Sequence, residues 1–250
     1  MSTYEVAESV ATITLNSPER RNALSAQLIS EIGRHLDRAD ADPDVRSVVL
    51  SHTGPAFSSG MDLTQVADVP AEQQPIVAFP ALLLRIWEFD KPVIARVNGR
   101  ARAGGIGLLA ACDLAIAIPA ADFAFTEVRL GIVPAVISVP LLPRLLPRQA
   151  HELFLTGETF GAQRARDIGL LNSISEDLDG EVGRYTSMLR KCEPKALAAT
   201  KVMLRRGREG LSMAQDFDAM GKLSARYFAS PEAQEGIAAF AAKRVPRWAE

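Results

Sequence analysis

The chain alternates between apolar patterns of period two and apolar patterns of period three to four, which are typical of strands and helices respectively. Residues Val10–Leu15 place Ala, Ile and Leu between threonines, as in a half-buried strand. Ser25 suits the N-cap of a helix that follows this strand. The inner face of that helix would hold Leu28, Ile29, Ile32 and Leu36. Further strands are predicted at residues 45–51, 93–97 and 114–118 and near Phe123, with a helical stretch at residues 82–87.

The pattern changes near Asp177, after which helical stretches follow one another. These stretches cover residues 194–208, 212–228 and 231–244. Because strands and helices interleave before this point and only helices follow it, the sequence predicts an α/β core with a helical appendage. We place the division after residue 190, so that the core covers residues 1–190 and the C-terminal helical region covers residues 191–250.

Composition narrows the class of protein. A chain of 250 residues with 48% hydrophobic and 23% charged residues can bury a large core without disulfides or metals. Cys112 and Cys192 lie far apart, and the three histidines do not cluster with them, so neither a disulfide framework nor a metal site is expected. The most apolar window, residues 103–121, is broken by Asp113 and Pro119, and no secretory signal is visible. We therefore expect a cytoplasmic protein without membrane contact.

Three local motifs point to other chemistries, and each lacks a necessary part. Residues 105–110 (GIGLLA) match a dinucleotide-binding fingerprint, but the preceding strand ends too early, near Val97. Ser58 lies in a degenerate nucleophile elbow, but the only histidine downstream is His151. Residues 184–208 contain eight basic residues against one acid but a single aromatic, so they predict no nucleic-acid partner and could equally hold the phosphates of a small ligand.

Glu127 follows a short predicted strand in an apolar neighbourhood, and the residues leave two interpretations open. It is either a structural carboxylate paired with Arg129 or a desolvated general acid/base. Charged residues near strands are usually solvated or paired, which favours the first interpretation. Two glycine-rich helix starts, near Ser58 and Gly104, favour the second.

Six motifs occur in a fixed order and spacing that extend through most of the chain. They are residues 16–24 (NSPERRNAL), 56–63 (AFSSGMDL), 91–99 (KPVIARVNG), 103–108 (AGGIGL), 111–113 (ACD) and 123–134 (FAFTEVRLGIVP), and residues 240–246 (FAAKRVP) follow. This ordered set resembles the crotonase family of enoyl-CoA hydratases and isomerases. The resemblance implies a spiral of ββα units, C-terminal helices that form homotrimers or homohexamers, and an acyl-CoA substrate. Coenzyme A would be part of that substrate, and no separate cofactor or metal is implied.

The resemblance also implies roles for particular residues. The backbone N–H groups of Ser58 and Gly104 would form an oxyanion hole for the thioester oxygen. Glu127 matches the second of two catalytic glutamates, whereas the first falls on Gly107, where no carboxylate exists. The usual glycine-rich run is replaced by residues 135–139 (AVISV), where Ser138 could supply a polar group. The implied substrate-binding residues are Arg21, Ala23, Ser58, Ser59, Gly60, Met61, Gly104 and Lys243, with Arg21 and Ala23 near the adenine end of CoA and Lys243 near its phosphates.

The predicted function is hydration of a 2-enoyl-CoA thioester, with Glu127 as the acid/base. A Δ3,Δ2-enoyl-CoA isomerase is the alternative, because it needs one carboxylate to move a proton between C2 and C4, and Gly107 favours it. A non-catalytic acyl-CoA-binding protein is a further alternative, although Glu127 and both oxyanion positions argue against it. The sequence does not identify the acyl chain.

Overall fold

The computed structural model describes residues 1–62, 75–205, 231–232, 235, 239 and 242–250. The chain divides into two compact units, Met1–Thr186 and Ser187–Glu250. The helix predicted at residues 212–228 lies outside the described residues, as does most of the helix predicted at residues 231–244. The assignment of residues 1–190 to substrate binding and residues 191–250 to trimer formation stays a prediction.

The strands and helices of the described residues are short, and all strands belong to the first unit. The strands are β1 (Ser2–Ala7), β2 (Val10–Leu15), β3 (Ser47–His52), β4 (Ala56–Ser58), β5 (Val93–Val97), β6 (Arg100–Arg102), β7 (Leu114–Ala117), β8 (Asp122–Ala124), β9 (Phe160–Gly161) and β10 (Ser173–Ile174). The helices are α1 (Ala26–Ala41), α2 (Pro75–Glu88), α3 (Gly104–Ala111), α4 (Ala135–Leu141), α5 (Pro147–Thr156), α6 (Ala162–Asp167), α7 (Leu178–Arg190) and α8 (Pro194–Arg205). Short 3₁₀ turns cover Pro18–Arg20, Glu127–Leu130 and Arg247–Ala249.

From β3 to β8, successive strands alternate between two sheets. The larger sheet has the order β1-β2-β3-β5-β7-β10, and the smaller one has the order β4-β6-β8-β9. Strands β1 and β2 form an antiparallel hairpin, whereas the remaining pairs of the larger sheet are parallel. The pairs β3-β4, β5-β6 and β7-β8 each send one strand to each sheet, and α2, α3 and α4 follow them in turn. This repeat confirms the predicted α/β fold with ββα units.

The core lies where the helices cover the larger sheet. Strand β3 is buried along its whole length, as expected for an inner parallel strand with both faces covered. Strand β2 buries every second residue, which confirms the period-two prediction. Helix α1 begins as predicted, because the Ser25 hydroxyl accepts a hydrogen bond from Leu28 N at 3.1 Å, and all four predicted inner residues are buried.

The apolar window at residues 103–121 is core, as the interrupted pattern indicated. All residues of α3 are buried, and β7 follows this helix into the larger sheet between β5 and β10. Within the described part of the chain, no helix is long and apolar enough to cross a membrane. The same residues contain no group of three or more His, Cys, Asp and Glu side chains that could hold a metal ion.

Candidate active site

Two segments that are far apart in sequence pair along one edge of the site. Ser59 N donates to Arg21 O at 3.0 Å, and Leu24 N donates to Gly60 O at 2.8 Å. Leu24 and Met61 form a parallel bridge. This pairing brings Arg21 and the neighbouring Ala23 beside the predicted substrate-binding residues at positions 59–61, with Arg21 exposed and Ala23 half-buried.

The fully buried side chain of Asn22 holds this pairing in place. Its Oδ1 accepts from Ser17 N at 2.8 Å, and its Nδ2 donates to Ala56 O at 2.8 Å and to Thr53 O at 3.0 Å. Asn22 has a φ of 51°, a left-handed conformation that asparagine adopts more readily than most residues. The turn is therefore tied to the start of β4, two residues before Ser58.

Ser58 and the start of α3 approach so closely that only glycine fits between them. Ser58 pairs with Ala101 of β6. A Cβ atom on Gly105 would lie 2.7 Å from Ser58 O, and one on Gly60 would lie 3.0 Å from the Cβ of Ala103. Gly60 also has a φ of 90°, which disfavours any side chain. The two glycine-rich segments recognised in the sequence are thus one packed unit.

This packing places the two predicted oxyanion donors on adjacent segments. Gly104 is the first residue of α3, and the first N–H groups of a helix have no acceptor within it. The residue before it, Ala103, has φ 47° and ψ −120°, a strained conformation for a residue with a side chain. Ser58 is the last residue of β4 and is fully buried. An anion beside Gly104 would also be stabilised by the dipole of the helix.

A cavity of about 400 Å³ opens next to this unit. Among the described residues that line it, three have polar side chains, Ser59, Thr126 and Glu127. The remaining lining residues are Met61, Ile76, Phe79, Ala103, Gly104, Leu130, Ile132, Val133, Pro134, Ala135, Val136 and Ile137. The cavity therefore brings the predicted residues Ser59, Met61, Gly104 and Glu127 together in a mainly apolar enclosure.

Glu127 begins the 3₁₀ turn that follows β8, and it is one of the residues that line the cavity. The residue is only 9% exposed, and its Oε2 is buried without a hydrogen-bond partner. The Nε of Arg129 donates instead to Thr156 O at 3.2 Å. The ion pair with Arg129 is therefore not formed, and the interpretation as a desolvated acid/base fits the structure. Burial raises the pKa of Glu127 above its ordinary value.

The position that matches the family's other glutamate is closed by a neighbouring side chain. A Cβ atom on Gly107 would lie 2.6 Å from Cγ2 of Ile137 and 3.1 Å from its Cβ. Ile137 is 3% exposed and lines the cavity from α4. The space beside Gly107 is therefore not open to a second acid, because the side chain of Ile137 fills it.

Ser138 does not replace the absent carboxylate. Its hydroxyl donates to Ala135 O at 2.7 Å within α4, and the residue is not among those that line the cavity. The nucleophile-elbow alternative also lacks support, because the Ser58 hydroxyl accepts from Gly60 N at 3.2 Å and His151 is exposed on α5. Lys243 is exposed in the second unit, and its contact with CoA phosphates stays a prediction.

Ile137 and Asn22 are the site residues whose roles the sequence did not reveal. Ile137 belongs to an apolar run without a distinctive spacing, and its contact with Gly107 joins residues of different helices. The sequence indicated Asn22 only as part of the motif at residues 16–24, whereas its side chain makes three hydrogen bonds to the backbone. Arg21 and Asn22 are consecutive left-handed positions, and an asparagine inside a predicted turn could have indicated such a structural role.

Three comparisons with known proteins bear on this site. A sequence profile described as "Enoyl-CoA hydratase/isomerase" matches residues 5–250. A candidate enoyl-CoA hydratase of Thermus thermophilus is 36% identical over 246 residues, which cover 96% of this chain and 97% of the relative. The peroxisomal Delta(3,5)-Delta(2,4)-dienoyl-CoA isomerase of Arabidopsis thaliana is 30% identical over 260 residues, which cover 97% and 93%. A solved structure of a candidate enoyl-CoA hydratase/isomerase (crotonase) from Legionella pneumophila has a TM-score of 0.91 at 35% identity and covers 99% of this chain and 98% of that one.

Proposed function

The chain belongs to the enoyl-CoA hydratase/isomerase family, the crotonases, and on that premise we propose that it adds water to a 2-enoyl-CoA thioester with Glu127 as the only acid/base. One observation carries the proposal. The carboxylate of Glu127 has an unpartnered, buried oxygen beside an apolar cavity that also contains the start of α3. A buried oxygen without a hydrogen-bond partner lowers the stability of the folded protein, and such groups are typical of functional sites.

The backbone N–H groups of Ser58 and Gly104 bind the thioester oxygen in this proposal. Attack at the β-carbon moves electron pairs towards that oxygen, so the two donors stabilise the enolate as it forms. They need no reorganisation, because the close packing of Gly60 and Gly105 fixes both segments. Removal of one such donor typically lowers kcat about 100- to 1,000-fold.

Glu127 transfers one proton during the addition. Its carboxylate removes a proton from water as the water oxygen bonds to the β-carbon and the C2–C3 π electrons move towards the thioester. The protonated Glu127 then returns that proton to the α-carbon as the enolate collapses, so the carboxylate is regenerated. A pKa raised by burial suits a group that must accept and return a proton near neutral pH.

The CoA moiety would lie along the edge formed by Arg21, Ala23 and residues 59–61. Arg21 is exposed with a fixed backbone, because its carbonyl accepts from Ser59 N, so its side chain can reach the adenine end of CoA. Lys243 would add a charge near the phosphates. We propose that no cofactor beyond the CoA of the substrate takes part. A homotrimeric or homohexameric assembly and a cytoplasmic location also remain proposals.

The proposal is tested by following a conjugated 2-enoyl-CoA spectroscopically, because hydration removes the conjugated absorbance. We expect turnover by the wild-type protein and a kcat about 100- to 10,000-fold lower for Glu127→Gln, the range typical of general acid/base catalysis. Binding of a saturated acyl-CoA, measured by titration calorimetry, should be retained in this variant. A near-native rate in Glu127→Gln would show that Glu127 is not the acid/base.

A Δ3,Δ2-enoyl-CoA isomerase is the second candidate, and the contact between Gly107 and Ile137 favours it. With Ile137 in the place of a second acid, the described residues of the site supply one carboxylate, which is all that proton transfer from C2 to C4 requires. A 3-enoyl-CoA distinguishes the two reactions, because an isomerase generates conjugated absorbance from it and leaves a 2-enoyl-CoA nearly unchanged. Clear CoA-thioester binding without either reaction would instead support a non-catalytic acyl-CoA-binding protein.

A further inference from the structure

The charge of the cavity wall bears on the acyl group of the substrate, and this inference rests on the proposed function. None of the described residues that line the cavity carries a positive charge, and the only charged one is Glu127. The wall is otherwise built from aliphatic and aromatic side chains, together with Ser59 and Thr126.

The wall facing α3 is sealed by Ile137. Its Cγ2 occupies the space that any side chain at position 107 would need, so no polar group can enter the cavity from that part of α3. Ile137 itself is almost fully buried and makes no polar contact there. The cavity, at about 400 Å³, lies in the lower part of the range of about 300–1,000 Å³ that is usual for pockets that enclose a small ligand.

We propose that this site selects CoA thioesters whose acyl group is uncharged and apolar, and that Ile137 is a specificity-determining residue for that group. An acyl chain ending in a carboxylate would place a second anion in the cavity with Glu127. That carboxylate would lose its hydration without gaining a cationic partner, which is strongly unfavourable in an apolar enclosure. An aliphatic chain of the same length would instead bury apolar surface against Phe79, Val136 and Ile137.

A binding experiment tests this selectivity without requiring turnover. The probes are three saturated thioesters with the same six-carbon acyl backbone: hexanoyl-CoA, its ω-carboxylated counterpart adipyl-CoA, and the ω-methyl ester of adipyl-CoA, which is one methyl group longer than adipyl-CoA. Titration calorimetry on the full chain should give a Kd for adipyl-CoA at least about 100-fold weaker than that for hexanoyl-CoA. The methyl ester should bind within about tenfold of hexanoyl-CoA, because it restores neutrality at nearly unchanged length.

The outcomes separate this inference from the proposed function. Equal or tighter binding of adipyl-CoA would overturn the selectivity, whereas the proposed hydration or isomerisation could still hold. Weak binding of both adipyl-CoA and its methyl ester would show that length rather than charge is discriminated, and would also overturn it. Absence of binding by all three thioesters would overturn the inference together with the proposed function. Selective binding without turnover would leave the inference intact and contradict the proposed function.

A substitution tests the role of Ile137. Ile137→Ala should raise the affinity for 4-methylpentanoyl-CoA relative to hexanoyl-CoA by about tenfold, because the removed side-chain atoms leave room for a branch. Val139→Ala is the matched control, since Val139 is on the same helix, is 74% exposed and does not line the cavity. The ratio should not change in this control. If Ile137→Ala does not fold, Ile137→Val should shift the ratio in the same direction by less; no shift in either variant would remove Ile137 from the proposal.

Discussion

The cavity has two sides that are built in different ways. We call residues 58–60 and 103–105 the backbone side, because N–H groups and glycines form it, and residues 126–137 the side-chain side. On the backbone side, a Cβ atom added to Gly105 would lie 2.7 Å from Ser58 O. On the side-chain side, apolar residues such as Val133 and Ile137 form the wall, and they could be exchanged for others of similar size.

The two sides differ in what they contribute: the backbone side suits the stabilisation of the enolate, and the side-chain side determines the proton transfer and the acyl group that fits. The backbone side offers donors whose positions depend on main-chain geometry, so it is suited to a task common to many substrates, the stabilisation of a thioester enolate. The side-chain side carries Glu127 and the apolar residues around it, so substitutions there can alter the proton transfer or the acyl group that fits. The predictions below test this division, beginning with the largest expected effect.

Gly105→Ala should damage the backbone side most. The new Cβ would meet Ser58 O and Ser58 Cβ at 2.7 and 2.8 Å, so β4 and α3 must separate and the two proposed donors lose their spacing. We expect kcat for the proposed reaction to fall about 100- to 1,000-fold, the effect of losing one oxyanion donor. Gly33→Ala, in α1 where nothing lies within 4 Å, should leave kcat unchanged. A near-native kcat in Gly105→Ala would show that the backbone side does not depend on the close packing of Gly105 against Ser58.

Asn22→Gly should lower the stability of the backbone side. Glycine tolerates the positive φ at this position, so the variant isolates the loss of the amide and its three hydrogen bonds. Buried partners left unsatisfied should reduce the free energy of unfolding by about 1–3 kcal/mol in urea denaturation. Arg21→Ala removes the neighbouring exposed side chain but keeps the carbonyl that accepts from Ser59, and it should change stability by less than about 0.5 kcal/mol. Equal losses in both variants would contradict the role of Asn22.

Gly107→Ala should reveal how tightly the side-chain side is packed against α3. Its Cβ would approach Ile137 within 2.6 Å, and overpacking of this kind typically costs about 1–3 kcal/mol. Combining it with Ile137→Ala should recover part of this loss, because the obstructing side chain is gone. A double-mutant cycle on thermal unfolding measures the coupling. Additive effects would mean that the two positions do not compete for the same space.

Apart from its effect on kcat, Glu127→Gln should give the smallest change in stability, a gain that depends on pH. Burial raises the pKa of Glu127, so the folded protein retains a proton that the unfolded chain loses near the ordinary value of 4.5. Stability of the wild type should therefore fall as pH rises from that value through the raised pKa. The variant lacks this titration, so its melting temperature should exceed that of the wild type near neutral pH and match it in acid. A constant difference at all pH values would show that the carboxyl does not titrate as proposed.

The sequence predicted the longer inner strands and the short strand β8 near Phe123, but it missed β4 and β6, which shape the site. Strands β2 and β5 have the predicted bounds, because their apolar residues are buried by the sheet itself. Strands β4 and β6 have three residues each, too few to show a period, and yet their pairing places Ser58 beside Ala101. Tertiary pairing rather than local preference defines them, so no local pattern could reveal them.

At the site itself, the sequence indicated which residues lie at the cavity more successfully than it indicated which side chains pack beside them. The positions of Glu127 and Gly104 at the cavity follow from the strand and helix ends that the motifs indicate. The resemblance also marked residues 135–139 as a departure from the family, with Ser138 as a polar group at the site, but Ile137 rather than Ser138 lines the cavity. Which side chain of a short helix faces a cavity depends on how α4 packs on α3, a long-range contact that one sequence does not encode locally.

The contact between Gly107 and Ile137 restricts the order in which substitutions can accumulate in a lineage. A glutamate at position 107 would first collide with Ile137, whereas a smaller residue at position 137 only opens space. A path from a one-glutamate site to a two-glutamate site therefore runs through position 137 before position 107, and the reverse path runs in the opposite order. Ancestral intermediates with a small residue at position 137 and glycine at position 107 would be the branch point between the two kinds of site.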